Sequence, residues 1–414
     1  MIKIAVISFP GTNNEVESIR AIKRAGMEPV LLKWNDDPKQ FEGCDAYFLV
    51  GGFSYEDRGR SGMVSARDPV MDVIKAESQK GKVVLGHCNG AQILVESGLI
   101  PYGDGLQMSL ARNAIKQGKT VSSPGFLNIW IHITPGCAND RCASSDWKGT
   151  MQIPIAHGEG RFTTRDSDLL KELEKNDQIA FRYCDASGVI SDDPSVTPNG
   201  SMHSIAGICN PTGNVIALMP HPERTKNGDL YFASVKRWIE EKRLAISDQR
   251  SAKKSHATRY PLPAIRSSVE IFIDTLITNN EERTVEQALK RKIPTITLKQ
   301  YRFFAPTEKK PEELLTHVSF FNPHKEVAYI RSGNSLMQWD PATKKAIKTE
   351  KKIFTGTVFV RRDDPNTGAE KLGKGSMSGI CYDCRSVNAS AMEQPDVLAI
   401  LANPHASTLM TLVS

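Results

Sequence analysis

The chain opens with short apolar runs that alternate with a segment of helical periodicity. Lys3–Ser8, residues 30–32 and residues 45–50 are apolar runs of strand length. Between the first two, residues 15–25 carry apolar or small side chains at helical spacing, and Gly26 ends the pattern. This strand-helix-strand order predicts an α/β fold, in which an open, mostly parallel sheet has helices on both faces.

A fourth apolar run leads into a cysteine with unusual neighbours. Val83, Val84 and Leu85 form a run of the kind that is buried on both faces of a parallel sheet. Gly86 and Gly90 then flank Cys88 in the G-x-nucleophile-x-G spacing of a nucleophile elbow. The helical pattern that follows places Cys88 at a helix N-terminus, where the dipole favours the thiolate. Because a lone cysteine is more often a buried structural residue, the catalytic interpretation requires a base elsewhere.

A candidate base follows another apolar run. Residues 215–219 lead into Pro220, His221, Pro222, Glu223 and Arg224. His221 is suited to take the thiol proton, and Glu223, two residues later, to orient the imidazole. A His-Pro-Glu sequence alone is typical of a surface turn. Together with the elbow it favours a catalytic pair, because in an open α/β sheet ligands bind at the carboxyl ends of the strands.

Composition limits the class of protein. The chain has 414 residues, 40% of them hydrophobic and 24% charged, which indicates a globular protein of at least two domains. No apolar run reaches 18 residues, and the first residues resemble a strand and not a signal peptide, so we expect a cytoplasmic protein without a membrane partner. The net charge of +6 suits anionic ligands but does not imply nucleic-acid binding.

The eight cysteines are scattered along the chain, which predicts no disulfide framework. Cys381 and Cys384 form a single C-x-x-C, and a structural zinc site usually needs a second pair. We therefore expect no metal site in this chain.

Changes in pattern divide the chain into a first domain at residues 1–245, a basic linker at 246–266 and a C-terminal domain at 267–414. Residues 242–266 contain seven Lys or Arg and one acidic residue. The pattern that restarts at residue 269 predicts an α+β domain rich in strands, of unassigned role. Its predicted elements are strands at 269–273, 295–298, 327–330, 353–360 and 397–401 and a helix at 281–292.

The elbow and the His-Pro-Glu segment together resemble a known family. Gly86-His87-Cys88-Asn89-Gly90-Ala91-Gln92, followed far downstream by Pro220-His221-Pro222-Glu223-Arg224, is similar to the class I, or triad-type, glutamine amidotransferases. The narrower resemblance is to the PurQ-type glutaminase subunits of phosphoribosylformylglycinamidine synthase, an enzyme of purine biosynthesis. It spans residues 1–245 and includes segments at 8–13, 50–55, 110–113, 155–160, 181–183 and 199–201.

The resemblance implies a flavodoxin-like amidotransferase fold that hydrolyses glutamine. The implied roles are a catalytic triad of Cys88, His221 and Glu223, an oxyanion hole of Gly52 and Asn89, and substrate contacts at Gly51 and Gln92. Residues 157–161 would lie near the glutamine pocket or a partner surface, although two glycines around Glu159 also suit an ordinary turn.

Two positions depart from the family. Glu56 stands where a glycine is usual, so a positive φ there would strain the loop. Ala91 replaces a phenylalanine that is often found in the elbow helix.

The resemblance also implies a partner. Because the chain has no nucleotide-binding motif, the ammonia would be used by a synthetase subunit that binds ATP, Mg and formylglycinamide ribonucleotide. Residues 283–289 are similar to the small bridging subunit of some of these synthases. Two alternatives remain open: another cysteine hydrolase, such as a peptidase of the same fold, and an inactive docking subunit.

Overall fold

The computed structural model describes residues 1–103, 105–118, 120–244, 260–350, 353–387 and 389–413. The chain divides into two compact units, Met1–Thr258 and Arg259–Ser414, which we call the first and second unit. The predicted domain boundaries at residues 245 and 266 stay predictions, because most of the predicted linker lies outside the described residues. At its end, Ala264–Ile265 already forms a strand of the second unit.

Strands and helices alternate in the first unit. Its strands are β1 (Lys3–Ser8), β2 (Glu28–Lys33), β3 (Ala46–Leu49), β4 (Val83–His87), β5 (Ser109–Arg112), β6 (Ile115–Gln117), β7 (Thr120–Ser122), β8 (Leu127–Pro135), β9 (Met151–His157), β10 (Glu159–Thr163), β11 (Phe181–Cys184), β12 (Ile205–Cys209) and β13 (Val215–Leu218). Its helices are α1 (Glu15–Arg24), α2 (Pro38–Glu42), α3 (Val70–Gln79), α4 (Asn89–Glu96), α5 (Ser167–Lys175) and α6 (Asp229–Leu244).

One large sheet organises this unit. In the described part of the chain, nine strands lie in the order β2-β1-β3-β4-β13-β12-β11-β8-β9. The strands from β2 to β13 pair in parallel, and from β13 to β9 the sheet continues in antiparallel pairs. The predicted α/β fold with an open sheet is confirmed, and its parallel half carries the elbow.

Helices cover both faces of this sheet. Alternate residues of each strand point to opposite sides and pack against the helices on each side. On one face, Tyr47 and Val84 belong to a buried cluster with residues of α3 and α4. On the other face, Phe48 and Leu85 belong to a cluster with residues of α1 and α6. Burial on both faces explains why these strands read as continuous apolar runs.

The second unit is a strand-rich α+β structure. Its strands are β14 (Ala264–Ile265), β15 (Val269–Thr275), β16 (Thr297–Ala305), β17 (Glu326–Ser332), β18 (Ser335–Asp340), β19 (Lys345–Lys348), β20 (Thr357–Asp363), β21 (Met377–Arg385) and β22 (Ser407–Leu412), and its helices are α7 (Asn280–Lys290), α8 (Pro311–Leu315) and α9 (Pro395–Leu401). Among the described residues the strands form one sheet, β14-β22-β20-β21-β16-β15-β17-β18-β19, in which only β14 and β22 pair in parallel.

One predicted strand of the second unit is wrong. Residues 397–401 belong to helix α9, which begins with Pro395 at its first position and Asp396 in its first turn. Both residues favour a helix start, since proline has a helical φ and an acidic side chain complements the helix dipole. The short apolar run alone does not distinguish a buried strand from a buried helix.

Candidate active site

Cys88 forms the turn between β4 and α4. It has φ +50° and ψ −108°, a strained backbone conformation for a residue with a side chain. A Cβ atom on Gly86 would lie 2.6 Å from the carbonyl oxygen of Gly90, and one on Gly90 would overlap with the carbonyl oxygen of Leu49. Both flanking glycines are therefore required, because neighbouring backbone lies too close for a Cβ atom at either position. The elbow spacing predicts this requirement.

The thiol of Cys88 is buried, with 5% of the residue exposed. Its Sγ donates to the carbonyl oxygen of Ala156 at the end of β9, over 3.5 Å. Burial raises the pKa of the Cys88 thiol to about 12, although the charge of Arg224 and a hydrogen bond from the Asn89 backbone act in the opposite direction. The helix N-terminus was expected to favour the thiolate, but burial has the larger effect on the pKa of Cys88. The thiol therefore needs a base.

His221 and Glu223 follow β13, which pairs in parallel with β4 so that Leu218 lies opposite His87. His221 and Cys88 therefore follow neighbouring strands at the same edge of the sheet. Both also contact β9, because the His221 backbone N–H donates to the carbonyl oxygen of Pro154. The structure thus brings the predicted nucleophile and base to one end of the sheet.

The imidazole of His221 is held by Glu223. Its Nδ1 lies 2.6 Å from Glu223 Oε1, and neither side chain is exposed to solvent. Its Nε2 has no hydrogen-bond partner among the described residues. Burial lowers the pKa of His221, although the charge of Glu223 opposes this effect, so the ring is neutral near pH 7. A neutral imidazole with a free Nε2 is suited to accept a proton.

Glu223 stays ionised despite its burial. Desolvation would raise the pKa of this carboxyl group, but His221 and His87 together hold the pKa well below its usual range. His87 Nδ1 lies 2.8 Å from Glu223 Oε2, the oxygen that does not face His221. This second histidine was not predicted from the sequence, although a polar residue next to the nucleophile in an otherwise apolar strand was a signal.

Asn14 and Arg224 complete the surroundings of the pair. Asn14 Nδ2 lies 3.2 Å from His221 Nδ1 and 3.4 Å from Glu223 Oε1, and Arg224 Nη2 donates to Asn14 Oδ1 over 2.8 Å. Asn14 was also not predicted, because it lies 207 positions from His221 and gives no signal of its own.

The paired glycines lie beside these groups. A Cβ on Gly51 would lie 2.5 Å from Asn14 Nδ2 and 2.9 Å from His221 Cε1, and Gly52 has φ +144°. Gly52 forms an antiparallel bridge with Thr12. The backbone hydrogen bonds of this bridge are made by the flanking residues, so the Gly52 N–H points away from Thr12. The two glycines have no room for side chains, and no backbone partner is found for the Gly52 N–H among the described residues.

The elbow helix and the glycine loop are joined by Asn89. Its Oδ1 accepts from the Ser54 backbone N–H over 3.1 Å. Its Nδ2 donates to Asp57 Oδ1 over 3.1 Å and to Gln92 Oε1 over 2.9 Å. The two predicted oxyanion residues, Gly52 and Asn89, therefore lie on segments that are in direct contact.

Gln92 is 4% exposed, and both ends of its amide are bonded to protein. Its oxygen accepts from Asn89, and its nitrogen donates to the carbonyl oxygen of Glu159. Its predicted contact with the substrate stays a prediction. Glu159 is the first residue of β10, and Gly158 alone separates it from β9, so the segment forms a tight turn whose Glu159 carbonyl contacts Gln92.

The loop after Gly52 is strained where it departs from the family. Tyr55, Glu56 and Asp57 have φ values of +51°, +56° and +53°. The expected strain at Glu56 is thus confirmed. Burial, together with the charge of Glu159, raises the pKa of Asp57 to about 7.

The described residues contain no group of three His, Cys, Asp or Glu side chains that is suited to hold a metal ion. Within the same residues, none of the helices combines the length and apolar character that crossing a bilayer requires.

Comparisons with known proteins match the part of the chain that contains this site. A family model for the CobB/CobQ-like glutamine amidotransferase domain matches residues 1–247. Subunit PurQ of phosphoribosylformylglycinamidine synthase from Methanothrix thermoacetophila is 40% identical over 260 residues, covering 58% of this chain and 99% of that protein. The same subunit from Nitrobacter winogradskyi is 40% identical over 222 residues, covering 53% of this chain and 88% of that protein.

Among solved structures, the chain is similar to one in PurLQS from Thermotoga maritima. The identity is 28% and the TM-score 0.45, over 57% of this chain and 99% of the other.

The chain belongs to the CobB/CobQ-like glutamine amidotransferase family, and over residues 1–247 it is a glutamine amidotransferase enzyme of the PurQ type.

Proposed function

We propose that the first unit hydrolyses glutamine to glutamate and ammonia through a thioester on Cys88. The observation that carries this proposal is the arrangement of His221. Its Nδ1 is held by an ionised carboxylate and its Nε2 has no partner among the described residues, at the sheet edge where the elbow presents Cys88. A buried, protonated thiol beside a neutral imidazole supports base-assisted attack.

In the first half-reaction, His221 Nε2 takes the thiol proton as the sulfur attacks the side-chain carbonyl carbon of glutamine. The resulting oxyanion is held by the backbone N–H groups of Gly52 and Asn89, each worth about 3 to 4 kcal/mol by the usual effect of such donors. His221 then gives its proton to the departing nitrogen, which leaves as ammonia. Glu223 stabilises the imidazolium between the two transfers.

In the second half-reaction, His221 takes a proton from water, which attacks the thioester carbon. The sulfur leaves with a proton returned by His221, and glutamate is released. The cycle restores the protonated thiol that burial favours in the resting site.

The ammonia is used, in our proposal, by a partner synthetase that makes formylglycinamidine ribonucleotide in purine biosynthesis. The relatives that match the first unit are named as subunits of phosphoribosylformylglycinamidine synthase, which supports this assignment. ATP and Mg would act in the synthetase and not in this chain. We assign the second unit, Arg259–Ser414, a docking role towards that partner.

A glutaminase assay tests the hydrolytic proposal. We expect the wild-type chain, alone or with added synthetase, to release ammonia from glutamine, and Cys88→Ala to lower this rate at least a thousandfold. The matched control is Cys44→Ala, which removes another buried thiol at a distance from the elbow and should leave the rate unchanged. Ammonia release by Cys88→Ala at the wild-type rate would contradict the thioester.

A labelling experiment separates this function from a peptidase of the same fold. Glutamine should protect Cys88 from alkylation by a glutamine-like chloroketone, since both would occupy one pocket. Labelling that is unaffected by excess glutamine would favour the peptidase.

A further inference from the structure

His87 lies in the elbow immediately before the nucleophile, but its side chain occupies the opposite face of the sheet. Successive residues of a strand point to opposite sides, so Cys88 faces the cluster of α3 and α4 and His87 faces that of α1 and α6. The His87 ring meets Phe48, Tyr231 and Phe232 edge-on, with ring centroids 4.5, 5.0 and 6.0 Å away. The residue is completely buried.

One polar atom of this ring reaches the catalytic machinery. His87 Nδ1 lies 2.8 Å from Glu223 Oε2, while Glu223 Oε1 lies 2.6 Å from His221 Nδ1. Because Glu223 is ionised, both imidazoles donate to it through Nδ1. Within the described part of the chain, no other side chain is found to donate to Oε2, whereas Oε1 also accepts from Asn14.

The two bonds fix the carboxylate from both sides. A glutamate has three rotatable side-chain bonds, and a carboxylate held through one oxygen can turn about the last of them. A second donor, fixed on a buried strand, restricts that turn. His87 Nε2 has no partner among the described residues, so the ring's one described hydrogen bond is the bond to Glu223.

We propose that His87 is a positioning residue for the glutaminase reaction. By holding Glu223 Oε2, it keeps Oε1 on His221 Nδ1, which fixes the tautomer of His221 and aims Nε2 at Cys88. This inference rests on the proposed function. It differs from a packing role, in which any apolar side chain of similar volume would serve.

Three substitutions at His87 distinguish positioning from packing. His87→Leu and His87→Phe keep apolar volume in the aromatic cluster but remove the donor, whereas His87→Asn keeps an N–H donor close to the place of Nδ1. We expect His87→Leu and His87→Phe to lower kcat for glutamine hydrolysis by about ten- to a hundredfold with an unchanged KM, as expected for a lost bond to a charged group. His87→Asn should keep kcat within about fivefold of wild type.

Phe232→Leu is the matched control, because it removes a ring that packs on His87 without removing the bond to Glu223. It should lower thermal stability and leave kcat within about twofold. Near-ultraviolet circular dichroism verifies that each variant is folded, and kinetics are compared among folded variants. If His87→Leu kept the wild-type kcat, or if His87→Asn were as slow as His87→Phe, the inference would be overturned.

A second measurement does not depend on glutamine. Alkylation of Cys88 by iodoacetamide requires removal of the thiol proton by His221, so its rate should fall about tenfold in His87→Phe and recover in His87→Asn. A wild-type protein that is alkylated at Cys88 but releases no ammonia from glutamine would defeat the proposed function alone. Equal alkylation rates in all His87 variants would defeat the positioning role alone.

Discussion

Burial sets the charge state of Cys88 and His221, and hydrogen bonds set that of Glu223. Burial raises the pKa of the Cys88 thiol and lowers that of His221, whereas two histidine donors keep Glu223 ionised in spite of its burial. The resting site is therefore a thiol beside a neutral base, with one negative charge behind the base. In the proposed reaction, attack by the sulfur would therefore be coupled to proton transfer to His221.

Asp57→Asn should stabilise the fold more at pH 8 than at pH 5. The pKa of Asp57 is raised to about 7, so the stability given by its protonated form is present below the ordinary value of 3.8 and is lost as the pH rises through 7. Asparagine removes the charge and keeps an oxygen for Asn89. We expect a gain of about 1 kcal/mol in the free energy of unfolding at pH 8 and less than half of that at pH 5, measured by urea denaturation. An equal change at both pH values would contradict this origin.

Glu56→Gly should also stabilise the protein. Glu56 has φ +56°, and 74% of its side chain is exposed. A left-handed conformation costs an L-residue about 1 to 2 kcal/mol, which glycine avoids. Part of this gain is offset by the greater freedom of glycine in the unfolded chain, so we expect a net gain of about 0.5 to 1 kcal/mol in urea denaturation.

Arg20→Gly is the control for Glu56→Gly, because Arg20 is exposed inside α1. There glycine should cost about 1 kcal/mol. If both glycine variants lost stability, strain at Glu56 would not be the reason.

Cys88, His221 and Glu223 were predicted from the sequence because each lies in a motif whose spacing is typical of a catalytic role, and the structure brings the three to one edge of the sheet. His87 was not predicted as a donor to Glu223, since that contact depends on β4 lying beside β13 and on the face to which each residue points. Local pattern does not contain this information. The pKa of Cys88 was predicted in the wrong direction for a related reason, since burial depends on segments distant in sequence, such as β9.

At the scale of elements, the elbow depends on the contact between α4 and β3. Gly90 is the second residue of α4 and contacts the backbone of Leu49 in β3. The helix therefore approaches this strand more closely than any side chain at Gly90 would allow. This approach sets the direction in which α4 leaves β4 and hence the position of Cys88.

Gly90→Ala should therefore disrupt both stability and activity. The obstacle to the new methyl group is the backbone carbonyl of Leu49, which has no flexible end to move. We expect a loss of about 3 kcal/mol or more in unfolding free energy and a large fall in Cys88 alkylation. Gly43→Ala is the control, because its Cβ would meet its nearest neighbour, the carbonyl oxygen of Gln40, at 3.8 Å. A Gly90→Ala protein as stable and reactive as Gly43→Ala would show that the close approach is not required.

Elements with strong local signals were predictable, and elements without them were not. Strand β1 was predicted at its observed bounds because an apolar run with turn residues on one side leaves little ambiguity. Helix α9 was mistaken for a strand because its apolar run is short enough for either structure. The antiparallel pairing beyond β13 was also not predicted, since strand order depends on contacts between distant segments.

At the scale of the whole molecule, the chain is built from two units with separate cores. The buried clusters of the first unit draw on residues up to Ile239, and those of the second unit begin at Ile271. The residues of the candidate site all belong to the first unit. Hydrolysis and the proposed docking role are thus assigned to different parts of the chain.

A chain truncated after Thr258 should therefore retain hydrolysis and lose coupling to the synthetase. The two described clusters of the first unit contain no residue of 259–414, so we expect the fragment to unfold cooperatively and to release ammonia from glutamine within about twofold of the intact chain. If the second unit docks the partner, glutamine-dependent amidine formation should fall at least tenfold, whereas synthesis with added ammonium salt should be unchanged. The full-length Cys88→Ala chain is the control, since it should bind the synthetase and compete with the intact chain. Full glutamine-dependent synthesis by the fragment would assign docking to the first unit instead.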